Sequence, residues 1–473
     1  MGDRAGQFMR DSDALAWNIG HDPGLRSTIV AVAWLGSRPD PDVLSARLER
    51  ATRLAPHFRR HPVPSPAGLS NPQWVDCEFD LSMHLRRIEA PSPYSPATVI
   101  EFARTEAMTG FDPSRPVWAF TLIEGLEGDR AALVMKVHHS LTDGIGGMRL
   151  AELVFEPTPE PAPLDEVPPP AMAAVPTTAA CLALGALGHS VDRVVDAARL
   201  GIAGLVPVAR ALARHPARSM FDALATVRSV GRFVAPVSDT LSPAMTARGL
   251  GRRLDLFEVD LAELKRAGSV VGASVNEAFV ASVTGGLRRY HELHRSPVEW
   301  LRVTMPISVR TEDDPEGGNR IVLERFLVPV GETDARLRMR MTRWQCRAAR
   351  DEEALPFADT MAGLLNLLPS GVVGSMLRHV DFVASDVPGP PVPIYLAGAP
   401  VTGYYAFGPT TGTAVNVTLV TYRGTCCVGC TVDTAAVPDP EKLMACLHDG
   451  FDEVLSVGGP HHPVTSLLAD GAS

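Results

Sequence analysis

The sequence predicts an α/β protein of two units, each a mixed sheet with flanking helices, joined by a connector. Three observations carry this. The chain of 473 residues exceeds one ordinary domain and suits two. Short β-rich apolar runs alternate with helix-period stretches in both halves. A Pro- and acid-rich segment, EPTPEPAPLDEVPPP from Glu156 to Pro170, separates them and reads as an extended linker.

The elements follow in order. Ser27 to Trp34 (STIVAVAW) reads as a strand, and Pro41-Asp42 opens a helix whose Val43, Leu44, Leu48, Ala51 and Leu54 keep helical spacing. A second helix is expected over Ala97 to Met108. Ala119 to Ile123 and Ala131 to Val137 form a hairpin about the turn-rich GLEGDR. After the linker, Leu254 to Val259 starts the second unit, followed by a helix over Asn276 to His291. Further strands are expected at Leu301 to Ser308, Val415 to Tyr422 and Cys426 to Val432. The division is 1–165, a connector over 166–253, and 254–473.

Composition excludes several classes. Hydrophobic residues at 45% and charged residues at 21% are those of a folded globular chain, and a net charge of −10 argues against nucleic acid as a partner. That charge is unevenly spread. From His189 to Arg253 ten Arg face four Asp, a balance of +6 that leaves −16 on the rest. Within it Arg210, Arg214 and Arg218 recur every four residues, a cationic stripe that reads either as a solvated helix face or as a surface for anionic lipid. The uncharged stretch Ala171 to Gly188 is interrupted by Pro176 and weakened by Gly185 and Gly188, and does not read as a membrane span. Seven thinly spread Cys and a charged N-terminus fit a reducing cytosol. Nothing in the sequence sets the oligomeric state.

The chemistry concentrates at HHSLTDG, where His138, His139, Asp143 and Gly144 follow a predicted strand. An imidazole with a pKa of about 6.5 takes a proton from a hydroxyl at neutral pH, as a general base in acyl transfer must. Adjacent residues of an extended chain point to opposite sides, so one His faces a cleft, and His139 is the choice. Asp143 either orients that ring or holds the loop through an ion pair, and Gly144 lets the backbone turn. No GxSxG elbow offers a serine nucleophile. Cys427 and Cys430 form a single CxxC, which cannot complete a zinc site alone, so no metal is expected.

These residues, taken with others, resemble the bacterial wax ester synthase/diacylglycerol acyltransferases, relatives of nonribosomal condensation domains and of chloramphenicol acetyltransferase. The shared motifs are FDLSMHLRR (Phe79 to Arg87), RPVWAFTLIEGLEGDRAALVMKVHH (Arg115 to His139, with Pro116, Val117 and Trp118 where Pro-Leu-Trp is usual), SVNEAFVAS (Ser274 to Ser282), MPISVR with GGNR (Met305 to Arg310 and Gly317 to Arg320), SDVPGP (Ser385 to Pro390) and NVTLVTY (Asn416 to Tyr422).

The resemblance implies a pseudo-dimer of two chloramphenicol-acetyltransferase-like lobes with a channel between them. It implies His139 as general base, direct transfer from acyl-CoA as co-substrate with no bound cofactor, and diacylglycerol or a long-chain alcohol as acceptor at an inner-membrane or lipid-droplet surface. Asp143 takes a structural role there, with Arg310 as its candidate partner. Pro116, Trp118, Asn276, Glu277, Arg310 and Asn319 support the channel, and Trp118 reads more as packing than as a substrate contact. Three departures stand out: Asn276-Glu277 where Asn-Asp is usual, Asp386 after Ser385 where Asn is common, and LSPAMTARG (Leu241 to Gly249) in place of a Pro-Leu-Asn-Gly-Pro type segment. Two rivals stay open, the same chemistry on a polyketide or glycolipid hydroxyl, and a feebly active lipid-binding or droplet-coating protein that keeps the fold.

Overall fold

The computed structural model describes residues 8–65, 70–141, 151–160, 239–308, 321–352, 362–363, 365–366 and 370–468. The first part of the chain supplies α1 (Asp11–Ile19), β1 (Thr28–Leu35), α2 (Pro41–Leu54), β2 (Arg60–Val63), β3 (Gln73–Asp76), β4 (Leu85–Glu89), α3 (Pro96–Met108), β5 (Trp118–Leu126) and β6 (Arg130–His138). The second supplies β7 (Arg252–Asp260), α4 (Leu261–Ser269), α5 (Val275–Leu293), β8 (Trp300–Ser308), β9 (Ile321–Pro329) and α6 (Ala335–Arg350). It continues with α7 (Ser370–Leu377), β10 (Phe382–Val387), β11 (Tyr395–Leu396), β12 (Ala399–Phe407), β13 (Val415–Tyr422), β14 (Thr425–Asp433) and α8 (Pro440–Ser456). All ten elements expected from the sequence are present. The cationic stripe at Arg210 to Arg218 and the Ala-rich stretch lie outside the described residues.

Two six-stranded sheets result, ordered β11-β12-β1-β6-β5-β4 and β7-β14-β13-β10-β8-β9. Their inner strands repeat one pattern. β1 pairs antiparallel with β6, β6 antiparallel with β5, and β5 parallel with β4; β7, β14, β13 and β10 do the same in the same order. The two hairpins, β5–β6 and β13–β14, close short local turns, and the parallel partner of each comes from well before it in the chain. The halves share a strand plan that no residue-level repeat announced.

The first sheet is not built from residues 1–165 alone. Between β10 and β13 the chain leaves the second sheet, and its β12 pairs antiparallel with β1, Val30 facing Phe407. The seam between lobes is therefore covalently crossed and apolar: Leu254, Leu256, Val420, Tyr422 and Cys427 belong to the core cluster of the first lobe. Gly429 of β14 is where the crossing strand passes closest, since a Cβ there would stand 2.3 Å from the Ala406 carbonyl oxygen. Any side chain would push the lobes apart.

Local chemistry sets the helix ends. Asp40 accepts from the backbone N–H groups of Asp42 and Val43 with Pro41 at the first position of α2. Asp260 caps α4 and Asp334 caps α6. Glu156, where the linker was expected to begin, is instead fixed. It exchanges backbone hydrogen bonds with Tyr395 and pairs, nearly buried, with Arg47. The freely extended reading can apply only beyond that anchor.

Candidate active site

The first lobe presents the histidine doublet at the end of β6, in mid-sheet between β1 and β5. The His138 backbone N–H donates to the Val117 carbonyl at 3.0 Å and the His139 N–H to the Ser27 carbonyl at 2.8 Å. Successive amides thus bond to opposite neighbours, as in any antiparallel ladder, and the doublet is held from both sides.

The side chains consequently meet different surroundings. His138 is 5% exposed. Its ring lies edge-on to Trp17 and Phe111, with centroids 5.1 and 5.8 Å away. Its Nδ1 stands 2.8 Å from Ser140 Oγ and accepts from the Ser140 backbone N–H at 3.1 Å. A ring nitrogen that accepts from an amide carries no proton, which makes His138 the neutral Nε2–H tautomer. Burial, with lesser repulsion from His139 and His21, pushes its pKa down to about 3. His138 cannot take a proton near neutrality. His139, just past the strand end, is half-buried and on the solvent-reaching side.

Several residues that support this corner are not among the candidate site residues. Lys136, two positions before His138 and on the same face, is 5% exposed. Its Nζ donates to Thr109 Oγ1 at 2.6 Å and the Gly110 carbonyl at 3.1 Å, pairs with Glu106 at 3.1 Å, and lies over the Phe111 ring. Lys136 therefore fixes the turn that carries Phe111 to His138. Ser27, Trp17 and Ser140 complete the cradle. Of these only Ser140, next to the doublet, and Lys136, a charge inside an apolar strand, leave a trace in the sequence.

Pro116 and Trp118 bracket Val117, whose carbonyl receives His138, and both are buried. Trp118 donates from Nε1 to the Phe58 carbonyl at 2.9 Å and stacks on His84 with centroids 4.6 Å apart. Its ring is packing that stiffens the strand beside the doublet. Asn276 and Glu277 belong to the second lobe, at the start of α5. Asn276 is buried with Nδ2 3.4 Å from Met305 Sδ. Glu277 closes a capping box: its Oε2 accepts from the Ser274 N–H at 2.8 Å while Ser274 Oγ accepts from the Glu277 N–H at 3.3 Å. The departure from the usual Asp thus keeps a carboxylate that reaches back over one turn to the helix start. Asp143, Gly144, Arg310 and Asn319 lie outside the described residues.

A second departure, Asp386 on β10, is partly buried, and desolvation raises its carboxyl to about 6 against the opposing pull of Arg350. The cysteines of β14 are interior. Cys426 and Cys430 join the core of the second lobe and Cys427 that of the first. Cys427 and Cys430, three apart on a strand, thus face opposite sides and cannot clamp one ion. Among the described residues no group of three His, Cys, Asp or Glu could hold a metal.

The repeated strand plan shows that the lobes carry unequal sites. Thr28 faces His138 in the first lobe, and Arg252 faces Asp433 at the matching position of the second. Asp433 is 1% exposed, 3.3 Å from Arg252, and accepts from the Gly249 and Ala435 amides. A structural carboxylate stands where the first lobe has imidazole.

Two lobes of one strand plan, a strand passed from the second to the first, and a histidine doublet at the end of a central strand in one lobe define a two-lobed fold of the condensation-domain kind with a candidate site for acyl transfer. The family description "wax ester synthase/diacylglycerol acyltransferase catalytic domain" matches residues 31–279, and "WS/DGAT C-terminal domain" matches 317–454. The chain belongs to this wax ester synthase/diacylglycerol acyltransferase family and is an acyltransferase. A Mycobacterium tuberculosis protein provisionally named a diacylglycerol O-acyltransferase is 33% identical over 447 residues, 93% of this chain and 90% of that one. A second from the same species, named likewise, is 28% identical over 90% of this chain and 92% of its own length.

Among solved structures, the wax ester synthase/diacylglycerol acyltransferase of Marinobacter aquaeolei VT8 superposes with a TM-score of 0.62 at 20% identity, over 96% of this chain and all of that one. The starter condensation domain of rhizomide synthetase, in complex with C8-CoA, gives 0.62 at 12% identity over 97% and 96%. These likenesses are of fold.

Proposed function

We propose that the protein transfers a fatty acyl group from acyl-CoA to the hydroxyl of diacylglycerol or a long-chain alcohol, with His139 as general base. One observation carries the choice of base: His138 is buried, neutral and held at Nδ1, while His139 is half-buried at the strand end. The acceptor hydroxyl gives its proton to the His139 ring as its oxygen bonds to the thioester carbonyl carbon. The C–S bond then breaks, the thiolate takes the proton from the imidazolium, and ester and free CoA form without an acyl-enzyme. Trp118, Pro116 and Lys136 hold the strand end that aims the ring. The buried Asp433–Arg252 pair at the matching position supports one active site per chain.

Such acceptors are insoluble in water. No helix among the described residues is long and apolar enough to cross a membrane. The reading is therefore of peripheral contact with a membrane or lipid droplet. The test is labelled acyl-CoA offered with diacylglycerol, hexadecanol or monoacylglycerol to wild type and His139→Ala. Ester is expected with wild type and none with the variant, at an unchanged unfolding midpoint. A variant of ordinary activity refutes the base, and tight acyl-CoA binding without ester from any acceptor refutes the enzyme.

A further inference from the structure

Helix α6 carries six Arg and no carboxylate in sixteen residues. Arg338 is fully buried and pairs with Glu453 at 3.2 Å, which leaves five arginines toward the surface. Four of them, Arg336, Arg340, Arg343 and Arg347, follow the spacing i, i+4, i+7, i+11 and make one stripe. Leu337, Met341, Trp344 and Ala348 follow the same spacing one residue later and make a second stripe beside it. The buried side of the helix, Ala335, Met339, Thr342, Cys346 and Ala349, lies opposite both. Leu337 is 42% exposed and Trp344 68%, the most exposed large apolar side chain among the described residues. Arg343 donates to the Val271 carbonyl at 3.1 Å, which ties the next turn to the helix and sets the exposed Val270 near the patch.

The geometry points to α6 as a docking face for an anionic lipid surface, with the Trp344 stripe seated among the headgroups and the arginine stripe on their phosphates. This rests on the lipid acceptors proposed above and adds where the protein meets them. Charge complementarity selects the occupant. The chain carries −10 overall, so an anionic surface repels most of it and attracts it here, which orients the molecule as well as holding it. Trp favours the membrane interface, and a helix with a cationic and an apolar stripe lies in the plane of that interface. A nucleic acid would use the arginines and leave Trp344, Leu337 and Met341 without a partner. The helix is about 24 Å long, room for several headgroups. Of its acidic neighbours, Asp334 and Asp351 sit at the two ends, Glu277 lies 3.7 Å from Arg347, and the half-buried Asp386 is felt by Arg350, outside both stripes.

The experiment floats the full chain with vesicles of phosphatidylcholine alone or mixed with phosphatidylglycerol, comparing wild type with Arg336→Gln/Arg340→Gln and with Trp344→Ser. Wild type is expected to bind the mixed vesicles and to leave them as salt rises. The double arginine variant should lose about ten- to thirtyfold in partitioning, from about 1 kcal/mol per arginine near an anionic surface. Trp344→Ser should bind more weakly and lose the tryptophan quenching by bromine-labelled acyl chains that wild type shows. All variants should keep the unfolding midpoint and their rate with a water-soluble acyl-CoA and alcohol pair. Unchanged binding in the variants, equal binding to neutral vesicles, or retention on DNA but not on vesicles overturns the docking face. Absence of ester from every acceptor with vesicle binding intact overturns the activity and leaves the docking face standing.

Discussion

His138→Asn separates what the two histidines do, because asparagine keeps an acceptor near the Nδ1 position and removes the titrating ring. In the wild type Nδ1 accepts from the Ser140 amide, and the Asn side-chain oxygen can accept from an N–H two residues on. The ring contacts with Trp17 and Phe111 are lost, which costs about 1 to 2 kcal/mol at pH 8. The pH dependence runs the other way. The unfolded chain protonates a histidine near 6.5, whereas burial holds the folded His138 at about 3. Between those values the unfolded state binds the extra proton, so wild-type stability is whole above 6.5 and falls as pH drops toward 3. At pH 4.5 the loss amounts to two units of about 1.4 kcal/mol each, or about 2 to 3 kcal/mol. His138→Asn carries no such loss. Calorimetric midpoints of the two proteins should therefore differ in favour of wild type at pH 8 and converge or cross by pH 4.5. On the proposed assignment of the base to His139, the rate profile of the variant should keep the acid limb of the wild type. A difference in midpoints that stays constant from pH 8 to 4.5 refutes a neutral buried His138, and a displaced acid limb refutes the division of roles.

Other outcomes follow from particular contacts. His139→Ala abolishes ester formation without shifting the unfolding midpoint, as measured by labelled transfer and calorimetry. Glu277→Gln keeps the capping box and should leave the midpoint within experimental scatter, while Glu277→Ala loses about 1 to 2 kcal/mol from the second lobe. Equal midpoints for the two refute the capping role. Asp386, raised to about 6 by burial, makes its fullest contribution below about 3.8 and loses it as pH rises through 6. Asp386→Asn should therefore be more stable than wild type at pH 7.5 by about 1 to 2 kcal/mol, discounted for its partial solvent access, with no gain at pH 4. A uniform gain or loss across that range refutes the buried-carboxyl account.

The ten elements expected from the sequence were legible because each carries its own signal within a dozen residues. Apolar runs of strand length mark β1, β5, β6, β13 and β14, and Asp40-Pro41 announces α2. β9, β12 and α6 escaped because their signals mislead. APVTGYYAF has small and polar residues among its apolar ones, since β12 packs across the seam, and ARLRMRMTRWQCRAAR reads as a charge run until Arg338 is found buried. The linker start was misplaced for a similar reason, since Glu156 looks like part of a Pro-rich tail but is anchored by Tyr395, more than two hundred residues away.

The sequence alone determined the chemistry at hand, because a histidine doublet, its flanking motifs and their order are covalent facts. It also determined that adjacent side chains on a strand diverge. Which imidazole is sealed in and which reaches solvent was decided only by tertiary packing, through Trp17, Phe111 and Lys136, brought to β6 from well upstream in the chain and from two positions before His138. The same holds for the inequality of the lobes. Strand pairing sets Asp433 at the position of His138, and no local pattern relates two residues 295 positions apart. The parallel stripes of α6 needed both levels: spacing in the sequence defined the faces, and burial of the opposite face fixed which one water, or lipid, can reach.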